Sequence, residues 1–240
     1  MRKVFIADAH LKQAGDENYR KLLRFLAELR GTADTLFILG DLFEFWIGYR
    51  QVSFMHYLPV LEELRQLRAH GVSIVYLEGN HDFHMGPFFE ETLSAKVYPG
   101  PAVVKLDCKL VYLCHGDQIN RRDYGYRLLR LVFHNPLIRL LTHIVPPAVP
   151  SYIAERLGAK SKQNHHQRRA KWDYPRLMRE FADERFREGY DAVVSAHFHT
   201  PFMEESTDGS SRVLLSLGDW ITQFSYGEWQ DGILSLKTYD

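Results

Sequence analysis

Short apolar runs alternate along this chain with longer stretches whose apolar residues recur every third or fourth position. Residues 3–7, centred on Val4-Phe5-Ile6, read as a first strand, 35–39 as a second and 72–77 as a third. Between the first two, Leu22, Leu23, Leu26 and Leu29 mark a helix from Tyr19 to Leu29, with Lys21, Arg24 and Glu28 outward and Gly31 as its stop. Leu58, Leu61, Leu64 and Leu67 mark a second helix over residues 53–69, ended by Gly71. Strands alternating with helices argue for parallel pairing with crossover helices, an α/β fold. Pro87 suits the first position of a short helix. Residues 102–106 and 110–114 read as a hairpin. Arg176 to Glu188 reads as an amphipathic helix stopped by Gly189, and 191–196, 212–217 and 232–238 as the last strands.

Residues 121–174 break this rhythm. Tyr126 to Leu141 is apolar-periodic with Arg127, Arg130 and Arg139 interleaved, a proline-rich stretch from Val145 to Pro150 interrupts it, and Tyr152 to Leu157 resumes as helix. A basic, His-rich run follows at 160–171. The expected organisation is a core of residues 1–120 and 175–240, with 121–174 as a helical lid set over one end of the sheet.

The strands share one property at their carboxyl ends. The first runs into Asp8-Ala9-His10, the second into Gly40-Asp41 and the third into Gly79-Asn80-His81-Asp82; 110–114 runs into His115-Gly116-Asp117, and Ala192-Val193-Val194 feeds Ser195-Ala196-His197-Phe198-His199. Each end supplies a carboxylate, an amide oxygen or an imidazole, and open α/β sheets place their sites at strand carboxyl ends. On an extended chain, residues i and i+2 point the same way, so His197 and His199 are expected to face one space, as are Asp8 and His10.

Composition narrows the partners. The 240 residues carry 30 Lys plus Arg against 30 Asp plus Glu, and this balance argues against a nucleic-acid partner. The two cysteines, Cys108 and Cys114, lack metal-site spacing and suit a reducing compartment. The first residues run straight into a strand, so no secretory leader is expected. No apolar run approaches the roughly 20 residues that span a bilayer.

Two divalent ions about 3.5–4 Å apart clamp the attacking and leaving oxygens of an in-line phosphoryl displacement. Asp41, the lone carboxylate on its strand end, is the candidate bridge. Asp8 and His10 would hold one ion, Asn80 and His115 the other, with His197 and His199 divided between them. This mixed oxygen and nitrogen shell suits Mn²⁺, Fe²⁺, Zn²⁺ or Mg²⁺, with manganese the first expectation. A water between two such ions loses its proton near neutral pH and becomes the nucleophile. His81 diverges from Asn80 and is expected to stabilise phosphoryl charge or protonate the leaving oxygen, with Asp82 orienting it. Asp219 is expected to support the site or simply make a turn. If the lid closes, Arg168, Arg169 and Lys171 would meet a substrate phosphate, while its aliphatic stripe would take an acyl chain or a membrane surface.

The series Asp8-x-His10, Gly40-Asp41, Gly79-Asn80-His81-Asp82, His115-Gly116-Asp117 and His197-x-His199 resembles the calcineurin-like metallophosphoesterases. The resemblance implies an αββα fold, a β-sandwich flanked by helices, with a dinuclear centre. It implies that His199 joins Asp8 and His10, and that His197 joins Asn80 and His115. Gly40-Asp41-Leu42-Phe43-Glu44-Phe45-Trp46, the mid-chain insertion and Leu217-Gly218-Asp219-Trp220 resemble more narrowly the UDP-2,3-diacylglucosamine pyrophosphatases of lipid A synthesis. Those enzymes release UMP and a lipid sugar-phosphate at the cytoplasmic face of the inner membrane. The resemblance thus implies a lipid-linked phosphorylated substrate, contact with that surface and a cytoplasmic location. His81 stands where those pyrophosphatases typically carry Arg, as in a His-containing branch of the same family. Another phosphoester substrate, or a non-catalytic scaffold of the same fold, is the alternative.

Overall fold

In the computed structural model, which describes residues 1–49, 54–122, 135, 172–206 and 209–240, the N-terminal strand β1 (Lys3–Ile6) is the centre of a sheet. It pairs parallel with β2 (Thr35–Ile38), and β2 with β4 (Ser73–Leu77), as strands linked by crossover helices must. A short β6 (Lys96–Tyr98) extends this side, while β12 (Ser225–Gln230) and β13 (Ile233–Thr238) extend the other antiparallel, giving the order β13-β12-β1-β2-β4-β6. The hairpin β7 (Ala102–Leu106) and β8 (Lys109–Leu113) opens a second sheet, ordered β10-β11-β9-β8-β7, with β9 (Ala192–Ser195), β10 (Phe202–Glu205) and β11 (Val213–Ser216).

Side-chain alternation then builds four layers. Phe5, Phe37 and Leu39 turn inward to meet Val111, Leu113, Val194 and Leu215 of the other sheet. Their neighbours Val4, Ile6, Leu36 and Ile38 turn outward and pack on α1 (Glu17–Glu28) and α2 (Leu58–Ala69) through Leu22, Leu26, Leu61 and Leu64. On the far face, α3 (Tyr174–Arg187) lays Met178 and Ala182 against Val193 and Leu214. Asp173 caps α3 by accepting the Arg176 amide at 3.1 Å. This helix–sheet–sheet–helix stack is the αββα sandwich.

Five strands have no counterpart in the apolar pattern: the two-residue strands β3 (Trp46–Ile47) and β5 (Asp82–Phe83), which pair parallel with each other, and β6, β10 and β12. In β12, Gly227 and Glu228 interrupt the run. The glycine suits the close approach of the two sheets: a Cβ there would lie 2.8 Å from a Leu215 methyl, which would have to move. Buried Glu228 is neutralised by Arg2 and Lys237. After Pro87 the chain makes one wide turn, Phe88–Thr92, closed by Leu93 N–H donating to Phe88 O at 2.9 Å. The insertion expected over 121–174 lies almost wholly outside the described residues, as do Arg168, Arg169 and Lys171. Among the described residues no helix is long and apolar enough to cross a membrane.

Candidate metal centre

The parallel strands β1, β2 and β4 and their counterparts β8 and β9 end at one edge of the sandwich, and the chain curls there instead of continuing extended. Asp8, His10, Asp41, His197 and His199 all have φ between 44° and 73°. The left-handed region costs a residue with a Cβ about 1–3 kcal/mol and persists only where surroundings fix it. Here they do: Asp8 N–H donates to Gly40 O at 3.2 Å, His10 N–H to Asp41 O at 3.0 Å, and His197 N–H to Asp8 Oδ2 at 2.8 Å. The extended-chain expectation is therefore corrected for His197 and His199 alone; Asp8 and His10 do meet in one group. His197 and His199 do not share one space; the left-handed turns send them into two neighbouring groups.

Among the described residues three groups could hold a cation: Asp8, His10 and His199; Asp41, His115 and His197; and His10, Glu44 and His81, which shares His10 with the first. In the first, Asp8 Oδ1 lies 3.8 Å from His10 Nε2 and 3.5 Å from His199 Nε2. In the second, His115 Nε2 lies 3.2 Å from His197 Nδ1 and 3.0 Å from Asn80 Oδ1. Asp41 joins them, with Oδ2 3.6 Å from His10 Nε2 and 3.5 Å from His115 Nε2. Its other oxygen accepts the Asn80 and His81 amides, each at 2.9 Å. Gly79 is what allows that: a Cβ there would sit 2.2 Å from Asp41 Oδ1.

The far nitrogens of the imidazoles meet acceptors, and this decides which nitrogen faces inward. His115 Nδ1 bonds Leu39 O at 2.7 Å, His81 Nδ1 bonds Glu44 O at 2.7 Å, and His199 Nδ1 faces Asp219 Oδ2 at 3.4 Å. Glu44 also sets Oε2 3.8 Å from His10 Nδ1 and Oε1 3.4 Å from Lys12 Nζ. Asp82 does not orient His81. Its carboxylate is buried and receives the amides of Asp41 (2.9 Å), Leu42 (2.7 Å), Phe43 (3.4 Å) and Gly79 (3.0 Å), together with the Tyr76 hydroxyl. The acceptor for His81 comes from Glu44, across a contact in which Trp46 N–H also donates to His81 O at 2.8 Å. Adjacency in sequence suggested the His81–Asp82 pairing; the donors that claim Asp82 come instead from the loop after β2. Glu44 entered the sequence reading only as part of an aromatic stretch, and its signal was its place just beyond Asp41.

Charge is concentrated and buried. Burial, with the Asp41 charge adding to it, pushes the Asp8 carboxyl up to about 6, against the pull of His199 and His115. Burial would raise Asp41 too, but the imidazoles of His115 and His81 outweigh it and hold it well below the carboxylate range. Burial opposes charge on His115, yet Asp41 prevails and lifts it to about 10. On His199 burial is likewise overcome by Asp8 and Asp219. Burial, then a neighbouring imidazole, drives His10 and His197 down, His197 to about 3. In each group one imidazole is raised and another lowered, and protons and divalent cations compete for the same lone pairs. Asp8 Oδ1 is buried with no hydrogen-bond partner, which leaves a carboxylate oxygen aimed at two imidazole nitrogens. Such an orphan is costly unless a cation meets it. The donor set fits a divalent ion in each group, with Asp41 between them.

Residues 1–201 match the calcineurin-like phosphoesterase family. The chain is 31% identical to a UDP-2,3-diacylglucosamine hydrolase of Photorhabdus laumondii, over all of this chain and 99% of that one. It is 30% identical to the protein of the same name from Pseudomonas syringae pv. tomato, over 92% of this chain and 88% of that one. A solved archaeal phosphodiesterase matches over the full length of both chains with a TM-score of 0.53 at 13% identity, a likeness of fold alone. The family works with divalent metal ions, and the match spans every strand end described above: this chain belongs to the calcineurin-like phosphoesterases and is a metal-dependent phosphohydrolase.

Proposed function

We propose that the chain hydrolyses the phosphoanhydride of a UDP-2,3-diacylglucosamine-like lipid, giving UMP and a lipid sugar-phosphate. The relatives' shared name supports this substrate, and one geometric observation carries the chemistry: Asp41 Oδ2 stands 3.5–3.6 Å from an imidazole nitrogen of each of two ligand groups. Asp8, His10 and His199 would hold one divalent ion, and Asn80, His115 and His197 the other, with Asp41 between them. Manganese is the ion we favour. When bound, such a pair activates water and neutralises charge on the phosphoryl group.

The chain's own residues do the rest. Asp8, Asp41 and His115 sit at the buried floor and His10, His81, His197 and His199 at the half-buried rim, so the phosphate approaches from the side of those four imidazoles. His81 lies on that rim, its ring centre 4.7 Å from that of His10. Its Nδ1 proton is committed to Glu44 O, so Nε2 donates to the phosphate only when the ring carries a second proton. That makes His81 a donor to the phosphoryl or leaving oxygen and, once spent, an acceptor from solvent. Asp82 keeps the Asp41 and Asn80 loops in register and touches no reacting atom.

Residues 121–174 would form a lid for the acyl chains, with Arg168, Arg169 and Lys171 toward the phosphates, at the cytoplasmic face of the inner membrane. The test is hydrolysis of UDP-2,3-diacylglucosamine with Mn²⁺ beside bis(p-nitrophenyl) phosphate. Strong preference for the lipid, with UMP released, is expected. Hydrolysis of the generic diester alone would favour a second reading, another phosphoester substrate, toward which His81 in place of Arg already points.

A further inference from the structure

We propose that Asp219 is a positioning residue of the metal centre: it fixes the His199 ring so that Nε2 faces Asp8. The proposal rests on reading Asp8, His10 and His199 as a cation site. After β11 the chain turns through Leu217-Gly218-Asp219-Trp220 beside that group. Asp219 Oδ1 accepts the amides of Ile221 (2.9 Å), Thr222 (2.7 Å) and Gln223 (3.1 Å). A carboxylate held through one oxygen by three amides cannot swing, so its second oxygen is aimed. Oδ2 lies 3.4 Å from His199 Nδ1.

The same segment grips two of the group's three members, His199 and Asp8. Gln223 Oε1 accepts the Asp219 amide at 3.1 Å while its Nε2 donates to His199 O at 3.2 Å. Trp220 N–H donates to Asp8 O at 3.1 Å. A turn that merely reversed the chain would use the three amide bonds; it would have no use for the second oxygen, which is given to His199. Carboxylates placed this way orient metal-binding imidazoles and fix their tautomer.

The tautomer supplies the test. A neutral imidazole carries one ring proton. With Oδ2 as acceptor the proton sits on Nδ1, and the Nε2 lone pair faces Asp8. In Asp219→Asn the amide oxygen still accepts from Ile221, Thr222 and Gln223, so the NH₂ takes the place of Oδ2 and donates to Nδ1. The ring proton then moves to Nε2 and the lone pair is no longer offered to a cation.

Free Mn²⁺ followed by electron paramagnetic resonance during titration of the metal-free protein reads this without substrate. Wild type is expected to take two ions. D219N is expected to take one as wild type does and to hold the other about 10–100-fold more weakly, with its melting temperature unchanged. Two ions bound at wild-type affinity by D219N would overturn the proposal, and so would loss of both ions together with a collapsed melting temperature, which marks a structural turn only. Asp219→Glu keeps an acceptor and is expected to hold both ions within about tenfold of wild type; loss of an ion in D219E at an unchanged melting temperature would also overturn it. Wild-type protein that takes no Mn²⁺ would overturn the cation reading beneath it, and failure on the UDP-lipid alone would overturn only the substrate.

Discussion

Asp82→Asn changes one atom in the buried hub of the site, and its cost can be worked from the contacts. Oδ1 receives Asp41 N–H at 2.9 Å and Gly79 N–H at 3.0 Å; Oδ2 receives Leu42 N–H at 2.7 Å, Phe43 N–H at a weak 3.4 Å, and the Tyr76 hydroxyl. An asparagine that keeps its oxygen toward Asp41 and Gly79 turns NH₂ toward the others. Tyr76 can reverse and accept, but the Leu42 amide faces a donor. One orphaned buried donor costs about 1–3 kcal/mol, and above pH 7, since burial and the Asp41 charge raise the Asp82 carboxyl to about 7, the bonds that lose a charged acceptor weaken by about 1 kcal/mol more. At about 2–4 °C per kcal/mol for a chain of this size, D82N should melt roughly 5–15 °C below wild type. Tyr76→Phe removes one donor and orphans nothing, so it should cost about 1 kcal/mol. Circular dichroism at 222 nm reads both melts, and turnover measured well below the melt reads the site. Because the Asp41 loop hangs on Asp82, D82N should also lose activity at a temperature where it is fully folded. A D82N melt within about 2 °C of wild type, with full turnover, would refute the reasoning.

Three further outcomes follow from other contacts. Asp41→Ala should abolish hydrolysis and cost metal occupancy in both groups, read by metal analysis after gel filtration; retention of one full-strength ion would remove Asp41 from the bridging position. Gly79→Ala places a methyl 2.2 Å from Asp41 Oδ1 and 2.7 Å from its amide, so turnover should fall at least about 100-fold, consistent with a misplacement near 1 Å. Glu228→Gln tests a buried ion cluster: burial would raise this carboxyl, but hydrogen bonds from Lys237 and Arg2 prevail and hold it below its ordinary range. A folded-state pKa held below the unfolded value stabilises above the unfolded pKa and is lost as pH falls through the folded one. The wild type should therefore melt several degrees above E228Q at pH 7, by about 1–2 kcal/mol for two partly exposed charged hydrogen bonds, and the gap should close as pH falls below about 4.

The strand ends were legible in the sequence because a strand end is a local event: an apolar run, then Asp8, Asp41, Asn80, His115 or His197. The parallel order of β1, β2 and β4 was legible because helices of the right length lie between them. What periodicity could not carry was the set of contacts between distant loops. Asp82 looked like a partner for His81 because it is next to it, whereas its donors sit on Asp41, Leu42 and Phe43, with Gly79 and Tyr76 beside them. The left-handed turns at Asp8, His10, Asp41, His197 and His199 leave no mark in hydropathy, since none is glycine. Strand β12 was hidden by Gly227 and Glu228, residues that make sense only once Leu215 and the Arg2–Lys237 pair are seen beside them. Glu44 and Asp219 belong to the same class, their meaning supplied by His10, His81 and His199.

The central claim is that Asp8, His10 and His199 hold one divalent cation and Asn80, His115 and His197 another, with Asp41 between. Anomalous diffraction from Mn²⁺-loaded crystals reads it without reference to substrate. Two peaks about 3.5–4 Å apart, one beside Asp8 Oδ1 and one beside His115 Nε2, with Asp41 Oδ2 touching both, are predicted. A single peak away from Asp41, or none within reach of these side chains, would contradict the account.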